Sequence, residues 1–218
     1  MKVYNYNPSE QSIIDTYDKE DHNFWSFKVK ELAPLRLNLR THYLAEQKNR
    51  CCYCKMLKQE KHGNTWDVEH IVPKALFPIF LFEKQNLSLS CKECNDEKSN
   101  KPVFSNNSHE YKIYPTESDR YSIIHPHFDK YSEHMSIHMS PNGQIMHVPI
   151  TEKGVTVFHH CKLVRFTMQF YNVQDLNTNL LITFSDFIEQ VPNLTPDVAK
   201  AFFTASLPRV LSPDFIDC

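Results

Sequence analysis

The stretch "TWDVEHIVPK" (residues 65–74) alternates apolar and polar side chains and then meets a proline. Alternation predicts a strand over "WDVEH", because successive side chains of a strand point to opposite faces, and Pro73 makes the chain leave it. A second alternating stretch, "NLSLS" (86–90), predicts a strand antiparallel to the first, and "KECNDEKSNK" (92–101) predicts a short helix. The sequence therefore predicts a strand, a loop, a strand and a helix in one block.

Two Cys-x-x-Cys pairs flank this block, Cys51/Cys54 before the first strand and Cys91/Cys94 after the second. Two cysteines three apart on a tight turn place both thiolates on one tetrahedral ion, and two such turns complete a four-sulfur shell that suits zinc. A structural zinc site is the prediction, and chance or redox pairs are the alternative. The other cysteines have no partner at this spacing or only a poorer one: Cys52, Cys161 and Cys218.

The composition narrows the class of protein. A chain of 218 residues can bury one substantial core, or a core with a small appended module. It has three glycines and no Gly-rich phosphate-binding motif, which argues against nucleotide binding through such a loop. No apolar run reaches the roughly 18 residues that span a bilayer, and the N-terminus lacks the apolar core of a signal peptide. We therefore expect a cytoplasmic protein without a membrane partner, in which reduced thiols bind metal.

The charge is unevenly distributed. The net charge is −2, yet residues 24–101 hold fourteen Lys and Arg against nine Asp and Glu. This basic stretch coincides with the cysteine-flanked block, which fits contact with phosphates; a solvated charged face is the alternative.

Helical patterns surround the block. Residues 8–20 predict a short helix with Ser9 close to its cap, and residues 34–49 predict a longer amphipathic helix. The longer helix has an apolar stripe for the core and a basic side for a partner or nucleic acid. The stripe consists of Leu35, Leu39 and Tyr43, flanked by Leu37 and Leu44, and the basic side of Arg36, Arg40 and Lys48.

The rest of the chain predicts a small β region and then helices. Residues 121–160 look strand-rich, with a turn at "SPNGQ" (140–144), and helices are expected over 162–175, 177–190 and 197–206. Several histidines gather around Asp129; we favour buried, hydrogen-bonded histidines over a metal site, because Pro126 and the alternating pattern argue against one helix face. They are His125, His127, His134 and His138.

The block resembles the HNH endonuclease family, whose ββα-metal core reads acid-His, a loop, Asn-Leu, and Cys-x-x-Cys followed by His or Asn. The matching residues are Glu69-His70, Asn86-Leu87 and Cys91-x-x-Cys94-Asn95. Wider segments resemble PtuB-type members of that family from Septu and retron-associated antiphage systems. They are "LRLNLR…AEQKNRCCYC", "VEHIVPK", "NLSLSCKECNDEKSNK" and "IIHPHFDKYSEHM".

The resemblance implies a role for each residue of the block. His70 would be the general base, Asn86 would orient its imidazole, and Glu69 and Asn95 would bind a divalent ion, Mg²⁺ or Mn²⁺. Asn95 stands where the family name has its last histidine, and its carbonyl oxygen is still a ligand for Mg²⁺. Three lysines are candidate phosphate contacts, with solvated faces as the alternative: Lys74, Lys98 and Lys101.

The patterns predict an α+β protein, and the resemblance implies that its zinc-clasped block is a ββα-metal nuclease module. The predicted regions are N-terminal helices (1–50), the nuclease core (51–101), a small β-rich region (102–160) and C-terminal helices (161–218). The resemblance implies a toxic antiviral effector whose partners are a nucleic acid substrate, a PtuA-like ATPase, and the reverse transcriptase and msDNA of a retron.

Two other functions remain open. A zinc-stabilised module that binds a partner ATPase or nucleic acid without cutting would keep both cysteine pairs without needing Glu69, His70, Asn86 and Asn95 in register. A thiol redox protein would instead need exposed cysteines of low pKa.

Overall fold

The structure, a computed structural model, describes residues 1–106, 111–139, 143–170 and 186–206. Within these ranges the chain is a mixed α+β protein with two small two-stranded sheets, so the predicted fold class is confirmed at that level. No helix in the described ranges combines the length and the apolar character needed to cross a membrane.

The chain divides into two compact units. One contains Met1–Tyr121 and His125–Phe128, and the other contains Ser122–Ile124 and the described residues from Asp129 onward. The first two predicted regions thus fall together in the first unit, whereas residues 102–160 contribute to both.

Three helices begin the first unit: α1 (Pro8–Ile14), α2 (Phe24–Phe27) and α3 (Val29–Glu46). Helix α1 is capped by Asn7, whose side chain accepts a hydrogen bond from the Glu10 backbone nitrogen at 2.9 Å, while the Glu10 carboxylate accepts from the Asn7 nitrogen at 2.8 Å.

The predicted helix over 8–20 begins at Pro8 as expected, but the prediction is wrong in its cap near Ser9 and in its end at residue 20. Asn7 provides the cap, and the helix stops at Ile14 because the chain turns there to bury Tyr17 against the ring of Phe82, 5.4 Å away between centroids.

Helix α3 begins five residues earlier than the predicted 34–49 and ends three residues sooner. Pro34 removes one intrahelical hydrogen bond without stopping the helix, because Leu32, fully buried, extends the apolar stripe by another turn. The chain leaves the helix where Lys48 and Asn49 adopt positive φ angles of 51° and 57°. The predicted stripe is confirmed in Leu35, Leu39 and Tyr43, all buried, whereas Leu37 is exposed.

The cysteine-flanked block forms the predicted hairpin and helix. Strands β1 (Trp66–His70) and β2 (Leu87–Cys91) pair antiparallel, with Glu69 opposite Ser88 and His70 opposite Leu87. Helix α4 (Lys92–Lys98) follows β2 directly and packs on both strands, and α3 packs on them as well. Gln47, buried just after α3, joins its side-chain amide to both backbone groups of Leu89 at 2.8 Å.

The second unit contains a β-hairpin and helices. Strands β3 (Met135–Met139) and β4 (Ile145–Pro149) pair antiparallel on either side of the predicted turn, of which residues 140–142 lie outside the described ranges. The helices are α5 (Glu152–His160), α6 (Val164–Phe170) and α7 (Pro196–Ser206), and residues 186–190 are also helical.

The chain also forms short 3-10 helices at Pro78–Phe80, Lys84–Asn86, Ser118–Arg120, Tyr131–Glu133 and Val191–Asn193.

Strand-rich structure over all of 121–160 is a wrong prediction, because α5 occupies its last part. Thr151 caps this helix by accepting from the Gly154 nitrogen, and a Cβ at Gly154 would lie 2.0 Å from the His134 carbonyl oxygen. The expected helix over 197–206 is confirmed as α7, which begins one residue earlier. The expected helix over 162–175 is found in part as α6, and residues 171–175 and most of the expected helix over 177–190 lie outside the described residues.

Candidate active site and metal centre

Four buried cysteines meet between the end of α3 and the start of α4. The ligand atoms of Cys51, Cys54, Cys91 and Cys94 lie within 4.8 Å of one another, and the sulfur atoms of Cys54 and Cys91 are 3.9 Å apart. Four sulfurs at tetrahedral zinc distances stand about 3.8 Å apart, so this group could hold a zinc ion with small adjustments. Within the described ranges it is the one group of cysteine, histidine and acidic side chains close enough to bind an ion.

The chemistry of these thiols also fits a cation. Burial opposes ionisation of Cys51, but hydrogen bonds from the surrounding cysteines outweigh it and lower the pKa of its thiol. The hydrogen bonds that Cys54 and Cys91 share with Cys51 raise the pKa values of their thiols. Zinc binds the deprotonated form of a thiol, so a bound ion would stabilise these cysteines as thiolates.

Of the other cysteines that the structure describes, Cys52 and Cys161 do not join this group. Cys52 is buried beside it, and burial raises the pKa of its thiol. Cys161 is buried in the second unit, and Cys218 lies outside the described residues.

An open pocket of about 590 Å³ lies beside the hairpin in the first unit. Of the residues predicted from the sequence, Glu69, His70, Lys74 and Asn95 line it. The lining also includes side chains from outside the cysteine-flanked block: Trp25, Arg36 and Arg40.

His70, at the end of β1, has a defined tautomer. Its Nε2 lies 3.1 Å from the Leu81 carbonyl oxygen, and because a carbonyl can only accept, Nε2 carries the proton and Nδ1 keeps the lone pair. The Trp25 ring meets the imidazole edge to face, 4.8 Å between centroids. The pKa of His70 is lowered to about 3, mainly by burial and secondly by the positive charge of Lys74, so the ring is neutral at pH 7.

Glu69 is buried beside His70 and already has two partners. Its Oε1 accepts a hydrogen bond from the Tyr53 hydroxyl at 2.8 Å and pairs with the Lys98 ammonium at 2.7 Å. The second carboxylate oxygen takes part in neither bond. Lys98 also donates to the His70 carbonyl at 3.2 Å and is itself 1% exposed.

Lys98, a candidate phosphate contact, does not line the pocket, because its ammonium is buried against Glu69. Lys101 does not line the pocket either, although its backbone nitrogen bonds to the Lys98 carbonyl. Lys74 lines the pocket, and burial lowers the pKa of its ammonium.

Asn95, on the first turns of α4, reaches back to β1. Its Nδ2 donates to Asp67 Oδ2 at 3.0 Å, and Asp67 Oδ1 pairs with Lys92 at 2.8 Å. Because its amide nitrogen is directed at Asp67, its carbonyl oxygen takes no part in that bond.

Asn86 does not line the pocket, and its hydrogen bonds hold the loop after His70. Its Oδ1 accepts from the Val72 nitrogen at 2.7 Å and its Nδ2 donates to the Phe80 carbonyl at 3.0 Å. The Tyr114 hydroxyl lies 3.2 Å from the same Oδ1. The resemblance implied that Asn86 orients the imidazole of His70; in the structure both ends of its amide are bonded to this loop and not to the imidazole.

The histidines around Asp129 serve separate local structures. His125 Nε2 lies 2.9 Å from the Tyr114 hydroxyl, and His127 Nε2 lies 2.8 Å from the Leu87 carbonyl. His134 Nδ1 lies 2.8 Å from the Thr151 hydroxyl, and its other ring nitrogen is 3.5 Å from Asp129. His138 Nε2 lies 3.1 Å from the Ser136 hydroxyl.

Several residues of the site are not among those predicted. Asp67 had a readable signal, since it stands two residues before Glu69 and therefore on the same face of β1. Trp25 contacts His70, and Tyr53 contacts Glu69, from segments distant in sequence. A local sequence pattern does not predict such contacts.

Comparison with known proteins shows similarity to a Septu protein. The Septu protein PtuB of Bacillus thuringiensis is 30% identical over 128 residues. The aligned stretch covers 59% of this chain and 40% of that relative, so the match spans less than half of the relative's length. No protein-family model matches the chain, and no solved structure matches it. Distant homology to a Septu protein is supported, and assignment to the HNH endonucleases is a matter for proposal.

Proposed function

We propose that the chain is a metal-dependent endonuclease that hydrolyses phosphodiester bonds of nucleic acid at the pocket lined by Glu69, His70 and Asn95. One observation carries the proposal: a neutral imidazole with a free lone pair lies beside a carboxylate and an amide on a hairpin and helix whose ends meet at four cysteines. This combination supplies a proton acceptor and hard oxygen ligands in one pocket.

His70 is the proposed general base. With Nε2 donating to the Leu81 carbonyl, Nδ1 is the atom that accepts a proton from the attacking water. A pKa of about 3 keeps the ring neutral but makes it a weak base in the free protein. An anionic phosphate beside the ring raises that pKa and makes the proton transfer more favourable.

Glu69 and Asn95 would hold the divalent ion. Tyr53 and Lys98 fix one oxygen of Glu69, which leaves the other oxygen as a ligand, and the Asn95 carbonyl oxygen is a second. Oxygen donors of this kind suit Mg²⁺ or Mn²⁺, which when bound would stabilise the negative charge on the leaving oxygen.

Asn86 is a positioning residue in this proposal. By holding the backbone of the loop at Val72 and Phe80, it fixes the segment from which the Leu81 carbonyl orients the imidazole. The effect on His70 is thus indirect.

The proposed biological role is antiviral defence. The relative's name places it in a Septu system, and the same role for this chain implies a PtuA-like ATPase as partner. A net charge of −2 gives weak affinity for polyanions, so we expect a complex to deliver the substrate. DNA is the expected substrate from the resemblance, RNA such as tRNA is the alternative, and the retron components remain expectations.

A non-catalytic zinc-stabilised binding module is the second candidate. The buried pair of Lys98 and Glu69 favours it, because the ammonium already neutralises the carboxylate that would bind the ion. Such a module would bind a partner ATPase or nucleic acid and leave it uncut.

A cleavage assay of the His70→Ala variant distinguishes the nuclease from the binding module. The full chain, alone and with its partner ATPase, is incubated with duplex DNA, single strands and total RNA in Mg²⁺, and the product ends are sequenced. His62→Ala is the matched control, because His62 is exposed and does not line the pocket. If the chain is a nuclease, the His70→Ala variant should lose cleavage and retain zinc, whereas the His62→Ala variant should still cleave. Binding without cleavage by the parent chain and by both variants would favour the binding module, and equal cleavage by both variants would contradict the role of His70 as general base.

A further inference from the structure

Two arginines of α3 reach the pocket from outside the hairpin and α4. Arg36 and Arg40 stand one helical turn apart, which puts them on the same side of the helix, and both line the pocket with His70. Helix α3 therefore contributes to the site as well as to the core.

Contacts inside the first unit hold Arg36. Its guanidinium donates to the Trp25 carbonyl and lies over the Trp25 ring, 4.8 Å from the centroid. The same indole meets the His70 imidazole, so Arg36 and His70 are coupled through one rigid ring. Burial lowers the pKa of Arg36, which shows that its charge is partly removed from water.

Arg40 depends on a glycine. A Cβ built on Gly63 would lie 3.1 Å from Arg40 Nη1, so a larger residue at position 63 would have to push the guanidinium aside. Gly63 also lines the pocket, which places this close approach at its wall.

Neither arginine has its charge balanced. Within the described ranges neither guanidinium pairs with a carboxylate, and the Nε atoms of both are buried without a hydrogen-bond partner. Apart from the carbonyl and ring of Trp25 at Arg36, no carboxylate among the described residues replaces the hydration that these partly buried guanidinia lose. An anion from outside would restore that balance.

The charges of the side chains that line the pocket also favour binding of an anion. Asp67 pairs with Lys92, and Glu69 pairs with Lys98. After these pairs, two arginines and one lysine remain in the lining against one carboxylate, Asp96. The pocket is therefore positive on its arginine side.

We propose that Arg36 and Arg40 form a phosphate subsite that binds the backbone phosphate next to the scissile one. The proposal rests on the proposed function, since it takes the pocket of His70 as the place where the strand is cut. A guanidinium binds a phosphate through two parallel hydrogen bonds, and two guanidinia one turn apart would fix the path of the strand.

Salt-dependent binding tests this subsite without cleavage. The full chain carrying His70→Ala is titrated with a short fluorescent DNA strand and with an RNA strand over a series of KCl concentrations. Each phosphate of a single strand that the protein neutralises contributes about 0.7 to the slope of log affinity against log salt. Arg36→Met and Arg40→Met should each reduce the slope, the double variant should reduce it by about 0.7, and at the lowest salt each single variant should weaken binding about tenfold.

Lys30→Met is the matched control, because Lys30 is an exposed cation of the same helix that does not line the pocket. It should leave slope and affinity unchanged, and Arg36→Lys and Arg40→Lys should restore the slope because the charge remains. Gly63→Val should weaken binding without deleting a charge, which keeps the test valid if Arg36→Met disturbs Trp25.

Equal slopes in the parent and both methionine variants would overturn the subsite, as would a parent chain without salt-dependent binding. Equally strong binding of a polyglutamate peptide would overturn nucleic-acid phosphate as the ligand. None of these results bears on cleavage by the chain with His70 intact, so the subsite and the proposed function fail separately.

Discussion

Replacing Lys98 by methionine tests the most buried charge of the site. Lys98 and Glu69 pair at 2.7 Å with side-chain exposures of 2% and 3%, whereas Lys92 and Asp67 pair at 2.8 Å with exposures of 43% and 26%. Both lysines belong to α4, so the two pairs differ mainly in their burial.

The burial decides the expected magnitude. Lys98→Met leaves the Glu69 carboxylate buried with the Tyr53 hydroxyl as its remaining partner, and breaking a buried pair in this way costs about 3–5 kcal/mol of unfolding free energy. Lys92→Met breaks a hydrated pair, which contributes less than about 1 kcal/mol. The double variant Lys98→Met/Glu69→Gln should recover part of the loss, because no uncompensated charge remains.

Tryptophan fluorescence during urea unfolding is the assay. The chain has two tryptophans, Trp25 and Trp66, and both lie in the first unit, so the signal reports on the unit that holds the pair. Similar losses below about 1 kcal/mol for both single methionine variants would refute the argument from burial.

Two further predictions concern the metal centre and the loop. Cys54→Ser should lose zinc, measured by atomic emission, and unfold the hairpin, whereas Cys52→Ser should keep the metal; equal zinc contents would contradict the assigned ligands. Tyr114→Phe removes the hydroxyl 3.2 Å from Asn86 and should cost about 1–2 kcal/mol in urea unfolding and lower kcat with little change in KM. Unchanged stability and kcat would show that the loop does not depend on this bond.

The local sequence pattern was sufficient to predict the strands and the cysteine group of the site. Alternation in "WDVEH" and "NLSLS" predicts both strands, and the spacing of the cysteines predicts four sulfurs that the structure brings together. These signals are readable because period and spacing depend on neighbours in the chain.

The partners of the site residues could not be read in this way. Lys98 was a candidate phosphate contact with a solvated helix face as the alternative, yet it is buried, because the packing of α4 on β1 turns that side of the helix toward Glu69. Asn86 bonds a loop whose course is set by tertiary contacts, including the hydroxyl of Tyr114. Both outcomes depend on residues distant in sequence, for which one sequence gives no signal.

The position of a bound ion and phosphate tests the central claim most directly. Crystals of His70→Ala with a short nucleic-acid strand and Mn²⁺ give the ion by anomalous scattering at the manganese edge and zinc at its own edge. The account predicts manganese between Glu69 and Asn95, a phosphate within the same pocket, and zinc among the four cysteines. Manganese bound elsewhere, with the strand outside the pocket, would contradict hydrolysis at this site.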